Sequence, residues 1–196
     1  MFITSKISLN TVIIFLALLS LVTSTTIQAE NVTGQSYSRS VHDYKIPNVN
    51  VVTQDGKKTK LSEILNYGGP VIVNFIFTSC NAICPIMTAI LSKVNATIGS
   101  SSPNLRFVSI SIDPEHDSPS MLAKYAKKFN ASSNWKFLTG DITEIQQIQR
   151  AFDAYRGDKM NHTSLTLMRA SSTSSWVRIE GIASPDELIR EYTLLR

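Results

Sequence analysis

Hydrophobic and polar positions along this chain fall into blocks of changing period, and each change of period marks an element. Residues 71–77, Val-Ile-Val-Asn-Phe-Ile-Phe, form an apolar run rich in β-branched and aromatic side chains, which predicts a buried central strand. Residues 46–53 alternate up to a turn at Asp55-Gly56, and residues 60–65 lead back toward the core strand. Residues 105–112 alternate too, with Phe107, Ser109 and Ser111 on one face and Val108, Ile110 and Ile112 on the other. Helical spacing takes over at Met87, Ile90, Leu91, Val94 and Ile98, with Gly99 as the stop. Ser118-Pro119 reads as an N-cap and first-turn pair, opening an amphipathic helix through Met121, Leu122, Tyr125 and Phe129. After a short strand at 135–138, Thr143-Glu-Ile-Gln146 matches a capping box, and Ile145, Ile148, Phe152 and Tyr155 form one stripe. Residues 164–168 and 176–179 predict a hairpin ended by Gly181. Ser184-Pro-Asp-Glu187, a second capping box, opens the last helix through Leu188, Ile189, Tyr192 and Leu195. This order predicts an α/β fold: one domain, residues 44–196, built on a central mixed sheet flanked by helices.

The N-terminal residues follow a different rule. A lone Lys6 precedes the apolar run 12–22, and small polar residues follow up to Ala29. That layout fits a secretory signal peptide, residues 1–29, cleaved after Ala29. The run falls well short of the ~20 residues that span a bilayer, and an uncleaved anchor is the competing reading. Either way the domain is expected to be exported, periplasmic or otherwise extracytoplasmic and close to a membrane. A thiol pair is oxidised there unless something reduces or metallates it. Residues 30–43, polar and Ser-rich, read as a flexible tether.

Composition narrows the picture. With 196 residues, 43% of them apolar, one well-packed domain is affordable and global disorder is excluded. The net charge of +4 is scattered. Lys57-Lys58 with Lys60, and Lys127-Lys128, have no interleaved aromatics, so they read as solvated faces and not as a nucleic-acid site.

Chemistry concentrates after the central strand. Thr78-Ser79 breaks the apolar run, both cysteines of the chain follow at 80 and 84, and Pro85 comes next, suited to a helix's first turn. The pair therefore sits in a strand-to-helix turn, at the positive end of a helix macrodipole, where a thiolate is stabilised. A disulfide closing so short a loop removes little chain entropy, so metal binding or redox exchange explains the pair better than a structural bridge. Such a turn suggests a thioredoxin-like arrangement, although three residues separate these cysteines where dithiol oxidoreductases have two. The wider pair can close a disulfide, or it can place two thiolates on one soft ion, Cu(I) or Zn(II). Two sulfurs leave a metal site unfinished, and histidine is the usual supplement. His42 lies in the polar tether and reads as solvated. His116 sits in the acidic loop 113–117, which suits a solvated or partner-facing surface. His162 ranks above both, because in this order of elements the loop before the hairpin can fold back beside the first helix. Met87 and Met168 occupy apolar periodic positions and read as core, whereas Met160, in the His162 loop, is more open.

The run Phe75-Ile-Phe-Thr-Ser-Cys-Asn-Ala-Ile-Cys-Pro-Ile-Met87, then Ser111-Ile-Asp-Pro-Glu-His-Asp117, then residues 135–140 and Asn161-His-Thr163, resembles the Sco/SenC family. The resemblance extends in order from about Tyr44 to Tyr192. It implies a thioredoxin-like fold holding one copper ion per chain, Cu(I) or Cu(II), through Cys80, Cys84 and His162. It also implies a part in assembling the binuclear copper centre of cytochrome c oxidase, as copper donor, as reductant of the target's cysteines, or both. The partner is then the copper-centre subunit of that oxidase, or another copper or thiol-redox protein, and the chain is expected to act as a monomer. In the alternative reading, a thiol–disulfide oxidoreductase, Cys80 and Cys84 are the redox-active pair and His162 is incidental. The 113–117 loop matches a family motif near the site and is expected to support it or to face a partner. Many members keep a membrane anchor, and with residues 1–29 expected to be cleaved this chain looks like a departure from them.

Overall fold

The computed structural model describes residues 37–99 and 101–195. The expected leader, residues 1–29, and residues 30–36 of the expected tether lie outside the described residues. The strands are β1 (Tyr37–His42), β2 (Asn50–Thr53), β3 (Lys58–Lys60), β4 (Val71–Ile76), β5 (Arg106–Ser111), β6 (Trp135–Thr139), β7 (Leu165–Arg169) and β8 (Trp176–Gly181). They form one mixed sheet in the order β1-β8-β7-β4-β5-β6-β2-β3. The helices are α1 (Leu61–Leu65), α2 (Ile83–Ile98), α3 (Pro119–Lys128), α4 (Ile142–Ala151) and α5 (Pro185–Thr193).

β4 is buried along its whole length because both faces of the sheet are covered, the environment its unbroken apolar run calls for. The parallel pairs β4–β5 and β5–β6 need long crossovers, and α2 and α3 supply them. The serine face expected for β5 is buried as well, and it is satisfied internally. Ser109 Oγ donates to Asn74 Oδ1 at 2.7 Å and accepts from Trp135 Nε1 at 2.9 Å. The largest fully buried side chains include Trp135, Trp176, Phe107, Phe137 and Phe152. Withdrawing one such ring from water contributes roughly 1.5–3 kcal/mol. The pairing that matters most for function is β7 against β4, antiparallel with Asn74 opposite Thr166. Because of it, the chain enters β7 at the end of the sheet where β4 leaves.

Three expectations need correction. Residues 37–42, assigned to a flexible tether, are an edge strand paired with β8 from Tyr37↔Gly181 to His42↔Trp176, so the domain begins at or before Tyr37 and not at 44. Backbone pairing and two bonds to the buried Glu191 carboxyl, from Tyr37 Oη at 2.8 Å and Arg39 Nε at 2.7 Å, hold it. Four of its six residues are exposed, on both faces, so no apolar alternation marks it and composition disguised it. Helix α2 starts at Ile83, with Pro85 in its first turn, and stops at Gly99 as the sequence predicts, Gly99 taking right-handed geometry at φ −60°. Helix α4 is capped by Asp141, whose side chain accepts from the Thr143 N–H at 2.8 Å, while Glu144 turns away to the Asn50 N–H at 3.0 Å. Residues 60–65 split between the end of β3 and α1. The caps at Ser118 and Ser184 form as the sequence predicts, the second as a complete capping box.

Candidate metal centre

From the end of β4 the chain turns back on itself, with the Cys80 N–H donating to the Phe77 carbonyl at 3.1 Å. Helix α2 then opens without a conventional cap: Ala82 at the N-cap offers no side-chain acceptor, and no acidic residue lies in the first turn. The amides that a Ser or Asp would satisfy face a sulfur instead, the Cys84 N–H lying 3.5 Å from Cys80 Sγ. Burial alone would raise the Cys80 thiol, but hydrogen bonds from the backbone of Cys84, Ala82 and Ile83 outweigh it and hold Cys80 below the ordinary cysteine range. Cys84 is only 1% exposed, and there burial wins and pushes the thiol far up. One turn thus presents two unlike thiols, an accessible one that ionises readily and a buried one that keeps its proton.

His162 arrives from the opposite direction, on the connection between α4 and β7. Asp158 caps a short 3-10 turn, Lys159–Asn161, by accepting the Met160 N–H at 2.8 Å. His162 then leaves the turn with extended backbone. Its Nδ1 donates to the Lys159 carbonyl at 3.0 Å, which leaves Nε2 without a proton, 3.3 Å from Cys84 Sγ. Burial lowers the imidazole's pKa against the opposing pull of that carbonyl, so the ring stays neutral. The Phe77 ring meets it edge-on, with centroids 5.2 Å apart. The ligand atoms of Cys80, Cys84 and His162 all lie within 4.8 Å of one another, close enough to hold one metal ion. Two thiolate sulfurs and one imidazole nitrogen are a donor set for soft ions such as Cu(I) or Zn(II).

The 113–117 loop braces both halves. Asp117, fully buried, accepts the Thr78 N–H at 3.1 Å, Thr78 Oγ1 at 2.5 Å and Ser111 Oγ at 2.6 Å, fixing the turn that precedes Cys80. Asp113 meets Lys159 Nζ at 2.5 Å and His116 Nδ1 at 2.9 Å. Burial would raise the Asp113 carboxyl, yet hydrogen bonds from Lys159 and His116 hold it below the usual carboxylate range.

His116 is therefore spoken for by Asp113 and stands outside the cluster, its side chain 70% exposed. His42 lies on β1, stacked on Tyr44 and bonded to Ser40. Met87 and Met168 are buried in the core, and Met160 is 71% exposed. Three contributors escaped the sequence reading: Thr78, Lys159 and Tyr125. Thr78 was visible only as a break in an apolar run, and nothing but proximity to His162 marked Lys159. Tyr125 Oη lies 3.0 Å from Thr88 Oγ1, which donates to the Cys84 carbonyl at 2.8 Å, and burial pushes the phenol up to about 12.

A family pattern described as SCO1/SenC matches residues 43–193. The SCO1 protein homolog of Bacillus subtilis (strain 168) is 36% identical over 107 residues, which cover 54% of each chain. The mitochondrial SCO1 homolog of Homo sapiens is 36% identical over 86 residues, 43% of this chain and 28% of the human protein. The chain thus spans about half the length of the first relative and under a third of the second. Among solved structures, BsSco, described as a member of the Sco family of cytochrome c oxidase assembly proteins with a disulfide switch, superposes with a TM-score of 0.67 at 28% identity. That match covers 80% of this chain and 95% of BsSco. Arabidopsis thaliana ScoI, solved with copper bound, shares the fold with a TM-score of 0.64 at 24% identity, covering 76% of this chain and 97% of that one. Among the described residues no helix is long and apolar enough to cross a membrane. With a family pattern running through nearly all of the described domain and a thioredoxin-like sheet matching the family's structures, this chain belongs to the SCO1/SenC family.

Proposed function

We propose that the protein is an exported copper metallochaperone that helps assemble the binuclear copper centre of cytochrome c oxidase, carrying one copper ion on Cys80, Cys84 and His162. The supporting observation is the convergence of three ligand atoms, Cys80 from the turn before α2, Cys84 from its first turn, and His162 from 78 residues beyond Cys84. Membership of the SCO1/SenC family, and relatives solved with copper bound, support copper as the cargo. The residues suit a carrier. Cys84 and His162 form the sheltered side of the site, and Cys80, partly exposed, is where an incoming ligand can exchange with the protein's own. Reduced thiols bind the ion and a disulfide does not, so the redox state of the pair gates loading. Copper stoichiometry of the reduced protein tests the reading. The wild type is expected to take up close to one equivalent, Cys80→Ser and Cys84→Ser to lose it, and His162→Ala to bind more weakly. A reduced wild type that takes up no copper would end the proposal.

The inequality of the two thiols favours a second reading, reduction of a partner's disulfide. Cys80, accessible and readily ionised, would attack a partner sulfur and form a mixed disulfide. Cys84 would then displace the partner's thiolate, leaving a Cys80–Cys84 disulfide and a reduced partner. Cys84→Ser should trap the mixed disulfide through Cys80, and failure to trap any disulfide substrate would remove this reading.

A further inference from the structure

We propose that the Asp113–Lys159 ion pair is a positioning latch for His162: it seats the loop that carries the imidazole, and opening it frees that ligand while the two sulfurs keep their geometry. The inference rests on reading Cys80, Cys84 and His162 as the copper ligands, and it concerns what holds the third of them.

Lys159 acts at both ends of the device. Its Nζ reaches Asp113 Oδ2 at 2.5 Å, while its carbonyl receives both the ring Nδ1 of His162 at 3.0 Å and the His162 backbone N–H at 3.2 Å. The residue gripped by the body of the protein is thus the one that orients the ring. Elsewhere the connection is loosely tied. Arg178 holds its first residues, donating to the Phe152 and Asp153 carbonyls, and strand pairing resumes at Ser164 with the Gly181 N–H. Between Ala154 and Asn161, among the described residues, the other hydrogen bonds and ion pairs stay within the loop or return to α4. At that length the connection well exceeds the roughly 2–6 residues usual between helix and strand, so its path needs a fastening.

There is also room for it to move. A cleft of about 320 Å³ separates the loop from α4 and the 113–117 loop, lined by Gln146, Gln149, Tyr155, Gly157 and Lys159 and reaching His162 itself. The two members of the pair differ in how firmly they are held. The Asp113 side chain is nearly buried and also engages His116, whereas a third of the Lys159 side chain meets solvent. The pair can therefore be opened from outside, at the lysine, without disturbing the carboxylate's own support. The cysteine turn is pinned separately through Thr78 and Asp117. Opening the latch would leave a site of two sulfurs.

Lys159→Met keeps the stem and removes the cation, and Lys159→Arg restores it. Two readouts separate the latch from the copper reading. In the reduced, metal-free protein, amide exchange at residues 160–162 should speed up in Lys159→Met and in Asp113→Asn, no further in the double variant, and return toward wild type in Lys159→Arg. In the Cu(I)-loaded protein, transfer to a competing chelator should accelerate about 10- to 100-fold in Lys159→Met, the range for loss of a group that orients a metal ligand. His162→Ala provides the reference, and Lys159→Met should add nothing to it. Wild-type exchange and transfer in Lys159→Met, or additive effects of Asp113→Asn and Lys159→Met, would overturn the latch and leave the copper reading standing. If His162→Ala itself transfers copper at the wild-type rate, the copper reading of that histidine is at fault, and the exchange experiment alone judges the latch.

Discussion

The cysteine turn and the histidine loop meet at one site but are built to different standards. The turn continues a fully buried strand into a four-turn helix, and a buried carboxyl at Asp117 ties its first residue down with several hydrogen bonds. The loop hangs between two elements, turns through three residues of 3-10 helix, and is gripped from the 113–117 loop by one lysine. A permanent metal site would have every ligand on rigid elements. A carrier benefits from one firm half that defines the site and one looser half that can let go.

The largest effect should come from the firm half. Asp117→Ala strands the Thr78 amide and two hydroxyls, and a loss of about 3 kcal/mol is expected in denaturant unfolding. A loss below about 1 kcal/mol would mean that the turn is held by something else. His162→Ala should do the reverse, leaving stability within about 1 kcal/mol while weakening Cu(I) binding by more than the roughly 100-fold that loss of an outer-shell partner can cause. Competition with a chromophoric chelator measures this, and equal affinities would erase the distinction between the halves.

Acidity sharpens the comparison further. The raised Cys84 thiol is protonated at neutral pH, so copper must displace its proton, and apparent affinity should rise about tenfold per pH unit on that account. Cys80, lowered, adds a second proton to the slope only below its own pKa, so the dependence should flatten from two protons to one as pH rises. His162, lowered by burial, is already neutral and contributes no slope near neutrality. Titrations of affinity against pH would show the break, and a flat profile would contradict the buried, protonated Cys84. The smallest effect belongs to Met160→Ala. Exposed on the histidine loop, this side chain should change neither copper affinity nor stability, the latter by no more than about 0.5 kcal/mol.

Much of the firm half was legible in the residues themselves. The apolar run of β4, the stripe of α2 and the proline after Cys84 are local signals, and they place two sulfurs at a helix start with no knowledge of the rest. The choice of His162 over His42 and His116 needed the order of elements, and its placement depends on the antiparallel pairing of β4 with β7, a contact across roughly ninety residues. What stayed hidden was pairing of another kind. Strand β1 is polar because four of its six residues are exposed to water, and nothing local connects Lys159 with Asp113 or Thr78 with Asp117. Asp141 took the cap expected of Thr143 because two polar residues, two positions apart, competed for one role. Single-chain periodicity does not decide that contest.

The side-by-side, opposed course of β4 and β7 has one more consequence. Whatever enters β7 must surface above the end of β4, however long the preceding connection is, so His162 takes its place from the sheet and from Lys159 rather than from residues 155–157. That stretch, with Gly157 at φ +76° and open space where a Cβ would stand, is where foreign sequence could be grafted, such as a reporter or an affinity handle. Such a graft would sit at the threshold of the Cys80, Cys84 and His162 cluster without altering those side chains.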